Sequence, residues 1–270
     1  CTPGLPQLNE LLRNRIGRGA DPVTSLPNAA AALRVIDIDA GAGQGIRYGD
    51  AFFNRDINLL HVADGATVVV EGAATRFPIE PNQYSGAALA VDLGADGASP
   101  NDPGDNDSGP NTLLNTPVVT SAGVDIVAGE VDIGYTLDTS TSSVRQLSID
   151  VYAEDDSGTI RYVATRSPVT AASGTLSAPL SDRLDVGDRV RLGLRALDDG
   201  SSELSSNSVT VTGVLPQVGS NRRRENAGQP LVFTVSLGNA PAQPVSLSYS
   251  TADGSANAGS DYTATTGSIA

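Results

Sequence analysis

Residues 92–117 read D-L-G-A-D-G-A-S-P-N-D-P-G-D-N-D-S-G-P-N-T-L-L-N-T-P. Apolar periodicity vanishes here, and Gly, Pro, Asn and Asp, the residues that set turns, take over. Upstream, short apolar runs recur: LRVIDI (33–38), GIRY (45–48), INLLHV (57–62), TVVV (67–70) and ALAVDL (88–93). The corners G-A-G-Q-G (41–45), A-D-G (63–65) and E-G-A (71–73) separate them. Strand, tight turn, strand is what a coiled solenoid needs, each rung stacking its apolar residues on the next. Downstream the period becomes two: Val131, Ile133, Tyr135 and Leu137, then Leu147, Ile149, Val151 and Ala153, then Val190, Leu192, Leu194 and Ala196. Arg189, Arg191 and Arg195 fall on the opposite face of the last run. Such alternation predicts antiparallel strands with one buried face. The stretch 92–117 is thus a seam between two β architectures, and the fold class is all-β. Only residues 5–16, with Leu5, Leu8, Leu11 and Leu12 near helical spacing, predict a short helix.

The 270 residues leave room for two domains and part of a third. Gly 29 and Pro 16 favour many turns, hence short strands. Acidic groups outnumber basic ones 31 to 17, a net charge of −14. That excludes a nucleic-acid partner, which needs a basic footprint. It suits carboxylates that await a cation. The lone Cys, Cys1, cannot form an internal disulfide, and no apolar run is long enough to span a membrane.

Resemblances refine this picture. N-R-I-G (14–17), L-P-N (26–28) and A-V-D-L-G-A-D-G-A-S-P-N-D-P-G-D-N-D-S-G-P-N-T-L-L-N-T-P-V-V (90–119) resemble the last coils of a bacterial secreted right-handed parallel β-helix. That resemblance implies a solenoid end with its capping loop over 1–116. Residues 117–213 carry about seven strands and resemble the immunoglobulin-like or fibronectin III-like sandwich that follows such solenoids. The pair R-A-L-D-D-G-S-S-E-L-S-S (195–206) carries that likeness. Residues 214–270 are similar to the first half of a Calx-beta domain, through E-N-A-G-Q-P-L-V-F-T-V-S-L (225–237) and T-A-D-G-S-A-N-A-G-S-D-Y (251–262). Leu231, Phe233, Val235 and Leu237 would form one apolar strand face there, and the resemblance implies that the domain is truncated.

Two groups of carboxylates are candidate calcium ligands. The first is Asp92, Asp96, Asp102, Asp105 and Asp107, where D-N-D-S-G (105–109) imitates the opening of a calcium loop without its closing Glu. The second, Glu225, Asp253 and Asp261, falls on Calx-beta motif positions, and calcium there is implied by that resemblance. Both have a plainer reading as turn chemistry. No catalytic set emerges. His61 is the only histidine, so no ordinary zinc site can be assembled, and a serine nucleophile would have to use as its base this one imidazole, which sits in the strand run INLLHV. Asp37 and Asp39 are the only carboxylate pair fit for acid–base work on one strand. The expectation is a non-catalytic structural or adhesive segment of a secreted or cell-surface bacterial protein, with calcium as candidate cofactor and a surface or matrix ligand as partner. The alternative is the C-terminal part of a polysaccharide-degrading β-helix enzyme.

Overall fold

The computed structural model describes residues 65–74, 76–79, 81–141, 145–213, 216–221, 230–237 and 246–269, together with short strands at 9–11, 15–16, 33–36, 46–48 and 59–61. The chain is all-β: no helix longer than one 3-10 turn occurs among the described residues. It divides into two compact units, Cys1–Thr212 and Gly213–Ala270.

In the first unit the early strands are β1 (Asn9–Leu11), β2 (Arg15–Ile16), β3 (Leu33–Ile36), β4 (Ile46–Tyr48), β5 (Leu59–His61), β6 (Ala66–Glu71), β7 (Gln83–Ser85) and β8 (Leu89–Leu93). All their mutual pairings are parallel, and the chain visits three stacks in turn: β1 with β4, then β2 with β5 and β7, then β3 with β6 and β8. Short β-branched runs suit such stacks, because Val68 and Val70 of β6 meet Val91 and Leu93 of β8 on one buried face. The helix expected over 5–16 does not form, since β1 and β2 lie within it. Pairing with β4 and β5, residues distant in sequence, outweighs a weak local leucine spacing.

The later strands are β9 (Val118–Asp125), β10 (Glu130–Thr136), β11 (Leu147–Glu154), β12 (Ile160–Val169), β13 (Ser173–Pro179), β14 (Arg189–Ala196), β15 (Gly200–Leu204) and β16 (Val209–Thr210). They form two antiparallel sheets, ordered β13-β10-β9 and β15-β14-β11-β12, with β16 also on β14. Val131 and Ile133 of the first sheet and Ile149, Val151, Leu192 and Leu194 of the second share one core. The outer edge of β9 is closed. Asn207 pairs with the Val119 backbone by side-chain bonds of 3.2 and 2.7 Å, and Thr212 bridges Ala122 and Val124. Closing an edge in this way removes a template for aggregation.

The two architectures are joined rather than strung together. Ile160 of β12 pairs with Tyr84 of β7, so the antiparallel sheet runs on into a parallel stack. Tyr152 and Tyr162 turn away from the antiparallel core and enter the core of the parallel strands, beside Tyr84, Leu60 and Phe77. Tyr152 is tilted against Tyr84 at 6.1 Å and edge-on to Tyr162 at 6.0 Å. Strand β11 is therefore buried on both faces along most of its length, where alternation predicts one. Arg189, Arg191 and Arg195 leave the core face as expected but are bound into ion pairs: Arg189 and Arg191 with Glu154, Arg195 with the buried Asp150.

The second unit holds two antiparallel pairs, β17 (Pro216–Val218) with β18 (Val235–Leu237), and β19 (Leu247–Ser250) with β20 (Thr266–Ile269). The strand face expected from Leu231 onward begins only at Val235, and Leu231, Val232 and Phe233 are exposed. Among the described residues no second layer covers this short pair, so their alternation is not rewarded by burial there.

Candidate functional site

A loop of more than twenty residues without a ladder must satisfy its backbone groups by other means. In the stretch after β8, side-chain amides do this, as short polar side chains readily can. Asn111 is fully buried; its Oδ1 accepts from Phe77 N at 2.7 Å, and its Nδ2 donates to Phe77 O at 2.8 Å and Ser201 O at 2.9 Å. One side chain thus ties the turn before β7 to β15. Asn111, Thr112 and Leu113 all have positive φ (49°, 58° and 51°), a left-handed turn that Asn tolerates best. Asn115 accepts from Asp102 N at 2.9 Å and donates to Asp102 O and Asp138 O, both at 2.7 Å. Asn101 closes on Thr116 in both directions, at 2.8 and 2.9 Å.

Within that frame Asp102, Asp105 and Asp107 come together, each offering a carboxylate oxygen within 4.8 Å of the others. The first two already have work in the loop. The Asp102 carboxylate accepts from Asn106 N, and that of Asp105 accepts from Asn115 N at 2.8 Å and from the Thr139 hydroxyl. Arg145 stands 3.5 Å from Asp105 and also pairs with Asp198 and Asp199. Asp107 is different: its Oδ1 is shielded from solvent and meets no donor. Burial, with the charges of Asp102 and Asp105 behind it, raises the Asp107 carboxyl above its ordinary value. This arrangement favours a positive neighbour near Asp107.

The other candidates sit elsewhere. Asp92 and Asp96 are not among the three carboxylates brought together. Asp92 is buried in β8, and the amides of Ala95, Asp96 and Gly97 approach its carboxylate. In the second unit Asp253 accepts from Ala258 N and the Tyr262 hydroxyl, both at 2.7 Å, and Asp261 accepts from Asn257 N at 2.8 Å. These bonds shape the turn between β19 and β20. Glu225, Asp37 and Asp39 lie outside the described residues.

The chain matches no family model, no curated protein and no solved structure. Its function is therefore read from its own residues. Sequence patterning missed several that hold the loop: Thr139 and Arg145 near the three aspartates, and Glu203, which is 3% exposed in β15. Glu203 accepts from Leu93 N, Ser99 N and the Ser99 hydroxyl. Its only local signal was a charge inside S-S-E-L-S-S (201–206), the second arm of the pair 195–206, where nothing local marks it as buried.

Proposed function

We propose that the chain is a non-catalytic structural segment of a secreted or cell-surface bacterial protein, serving as a stiff stalk that presents loops to a surface or matrix ligand. The observation that carries this reading is the seam. Asn111 and Glu203 bond residues of the parallel-strand region to or from β15, while Asn101 and Asn115 fasten the polar stretch to Thr116 and Asp138. A polar loop used in this way makes a joint. The three-stack itinerary of β1 to β8 supports a parallel β-helix over 1–116. The sheet orders β13-β10-β9 and β15-β14-β11-β12 support a fibronectin III-like sandwich over 117–213. Residues 214–270 are read as part of a Calx-beta domain on their motif alone.

A stiff joint should resist proteolysis. An endoproteinase that cuts before Asp meets five such sites between 92 and 107. We expect cleavage in the turn after β19 well before any cleavage in the seam, read by mass spectrometry of the native chain. Early cuts at Asp102 or Asp105 would show a flexible linker and sink the stalk reading.

Calcium is the proposed cofactor at Asp102, Asp105 and Asp107, where it would neutralise crowded carboxylates and tighten the joint. Binding should be weak, in the range of about 10⁻⁴–10⁻³ M seen for extracellular modules. About 10 mM calcium should then raise the melting midpoint of the chain, and magnesium should do so far less. Asp107→Asn should abolish the shift while leaving the loop bonds of Asp102 and Asp105 intact. An unchanged midpoint in calcium would leave the cluster as turn chemistry.

A further inference from the structure

The seam contains a second pair of acids that the three-aspartate cluster does not use. Asp92 is 8% exposed in β8, and Glu203 is 3% exposed in β15. Glu203 is well supplied with donors: Oε1 takes Leu93 N at 2.9 Å and Ser99 Oγ at 3.2 Å, and Oε2 takes Ser99 N at 3.1 Å. Asp92 is only half satisfied. Three backbone amides approach its carboxylate, yet Oδ1 is shielded from water and has no donor. The charges facing it carry its own sign: Glu203 from β15 and Asp96 from its own turn. Of the other elements packed on β8, β6 carries only Glu71 and the 3-10 turn Pro110–Leu113 carries no charge. On β3, Arg34 holds the register row shared by Val69 and Asp92. Among the described residues, no basic side chain is ion-paired with Asp92 or Glu203.

We propose that Asp92 Oδ1 is a proton seat, and that filling it fastens the loop 94–99 to β15 as the pH falls. A proton on Oδ1 removes the charge beside Glu203 while the other oxygen keeps the amides. Burial raises both carboxyls, but each Glu203 oxygen accepts an N–H bond while Asp92 Oδ1 has no donor, so the proton is assigned to Asp92. Burial is the leading cause of the upward displacement of the Asp92 carboxyl from 3.8, ahead of the amides that oppose it. A carboxyl raised on folding binds its proton more tightly in the folded state. Its contribution is therefore fully present below the ordinary value and is lost as pH rises through the raised one. Glu154 works in the opposite direction. Burial would raise it, but Arg191 and Arg189 outweigh burial and lower it, so its stabilisation is lost in acid. A local readout separates the two.

The test is hydrogen exchange at the Leu93 and Ser99 amides of the full chain, corrected for intrinsic rates, at about pH 4.5 and about pH 7.5. Both amides should be several-fold better protected at the lower pH. Asp92→Asn, which imitates the protonated acid, should show that higher protection at both pH values. Glu203→Gln should lose protection at both, since its amide nitrogen would face N–H donors. Equal wild-type protection at the two pH values would overturn the proposal, whether or not Asp92→Asn folds. So would a calcium-induced gain at about pH 7.5 that matches the acid gain and disappears in Asp92→Asn, because the seat would then belong to a cation.

Discussion

Replacing Asn111 by alanine is expected to destabilise the unit Cys1–Thr212 by about 4 kcal/mol, the sum of several buried polar groups left without partners. The side chain is fully buried, and its loss takes the acceptor from Phe77 N and a donor each from Phe77 O and Ser201 O, of which Phe77 O keeps Ser201 N at 3.2 Å. Water cannot readily replace it, because Gly200 packs against the same atoms: a Cβ there would stand 2.7 Å from Asn111 Oδ1 and from the Phe77 backbone. The drop should appear in the urea midpoint with an unchanged slope. Asn111→Asp should not rescue it, since a carboxylate would oppose two carbonyl oxygens. Gly200→Ala should also be severely destabilising, and the double variant should cost less than the sum, because both changes break the same bridge. A loss below about 1 kcal/mol for Asn111→Ala, the net worth of an ordinary hydrogen bond, would mean that the bridge is not what holds the turn to β15.

How much of this could be read from the sequence depends on whether the cause was local. Thr67–Val70 announced β6 because a run of β-branched residues suits a strand buried on a stack. The alternation through Val131, Ile133 and Tyr135 announced β10 for the same kind of reason. β7 was missed: Tyr84 is the apolar residue among its three, and its partners Leu60 and Ile160 are distant in sequence. The leucines of 5–16 misled, because spacing alone cannot report a partner strand that arrives later in the chain. At the candidate site, Asp102, Asp105 and Asp107 were legible through close spacing, and Asp92 and Asp96 were nominated with them on composition. Their separation follows from β8, which carries Asp92 into the interior before the loop begins. Glu203, Arg145 and Thr139 act across the fold, and no local pattern marks them.

The same distinction bears on whether 117–212 is a module in its own right. Alternation through Leu147, Ile149, Val151 and Ala153 puts Tyr152 on the opposite face, which one-sided burial would leave to solvent, yet Tyr152 and Tyr162 are 3% and 4% exposed, sealed by Tyr84 and the parallel strands. Tyr152→Ser in the full chain should therefore cost about 3–5 kcal/mol, the usual loss on removing a buried aromatic. In a fragment of residues 117–212 those strands are gone and Tyr152 stands on an open sheet face. There the same substitution should be neutral, within about 0.5 kcal/mol, and should reduce association by breaking an exposed aromatic patch. Urea midpoints of chain and fragment, each with Tyr and with Ser, decide the matter. An equal cost in both would place Tyr152 in the antiparallel core itself. A cost in the chain alone would show that the joint, rather than either architecture, gives this face its stability. The stalk would then be stiff because its two architectures share a core at Tyr84, Tyr152 and Tyr162. Separating them would expose that core, whereas bending a flexible linker would expose nothing.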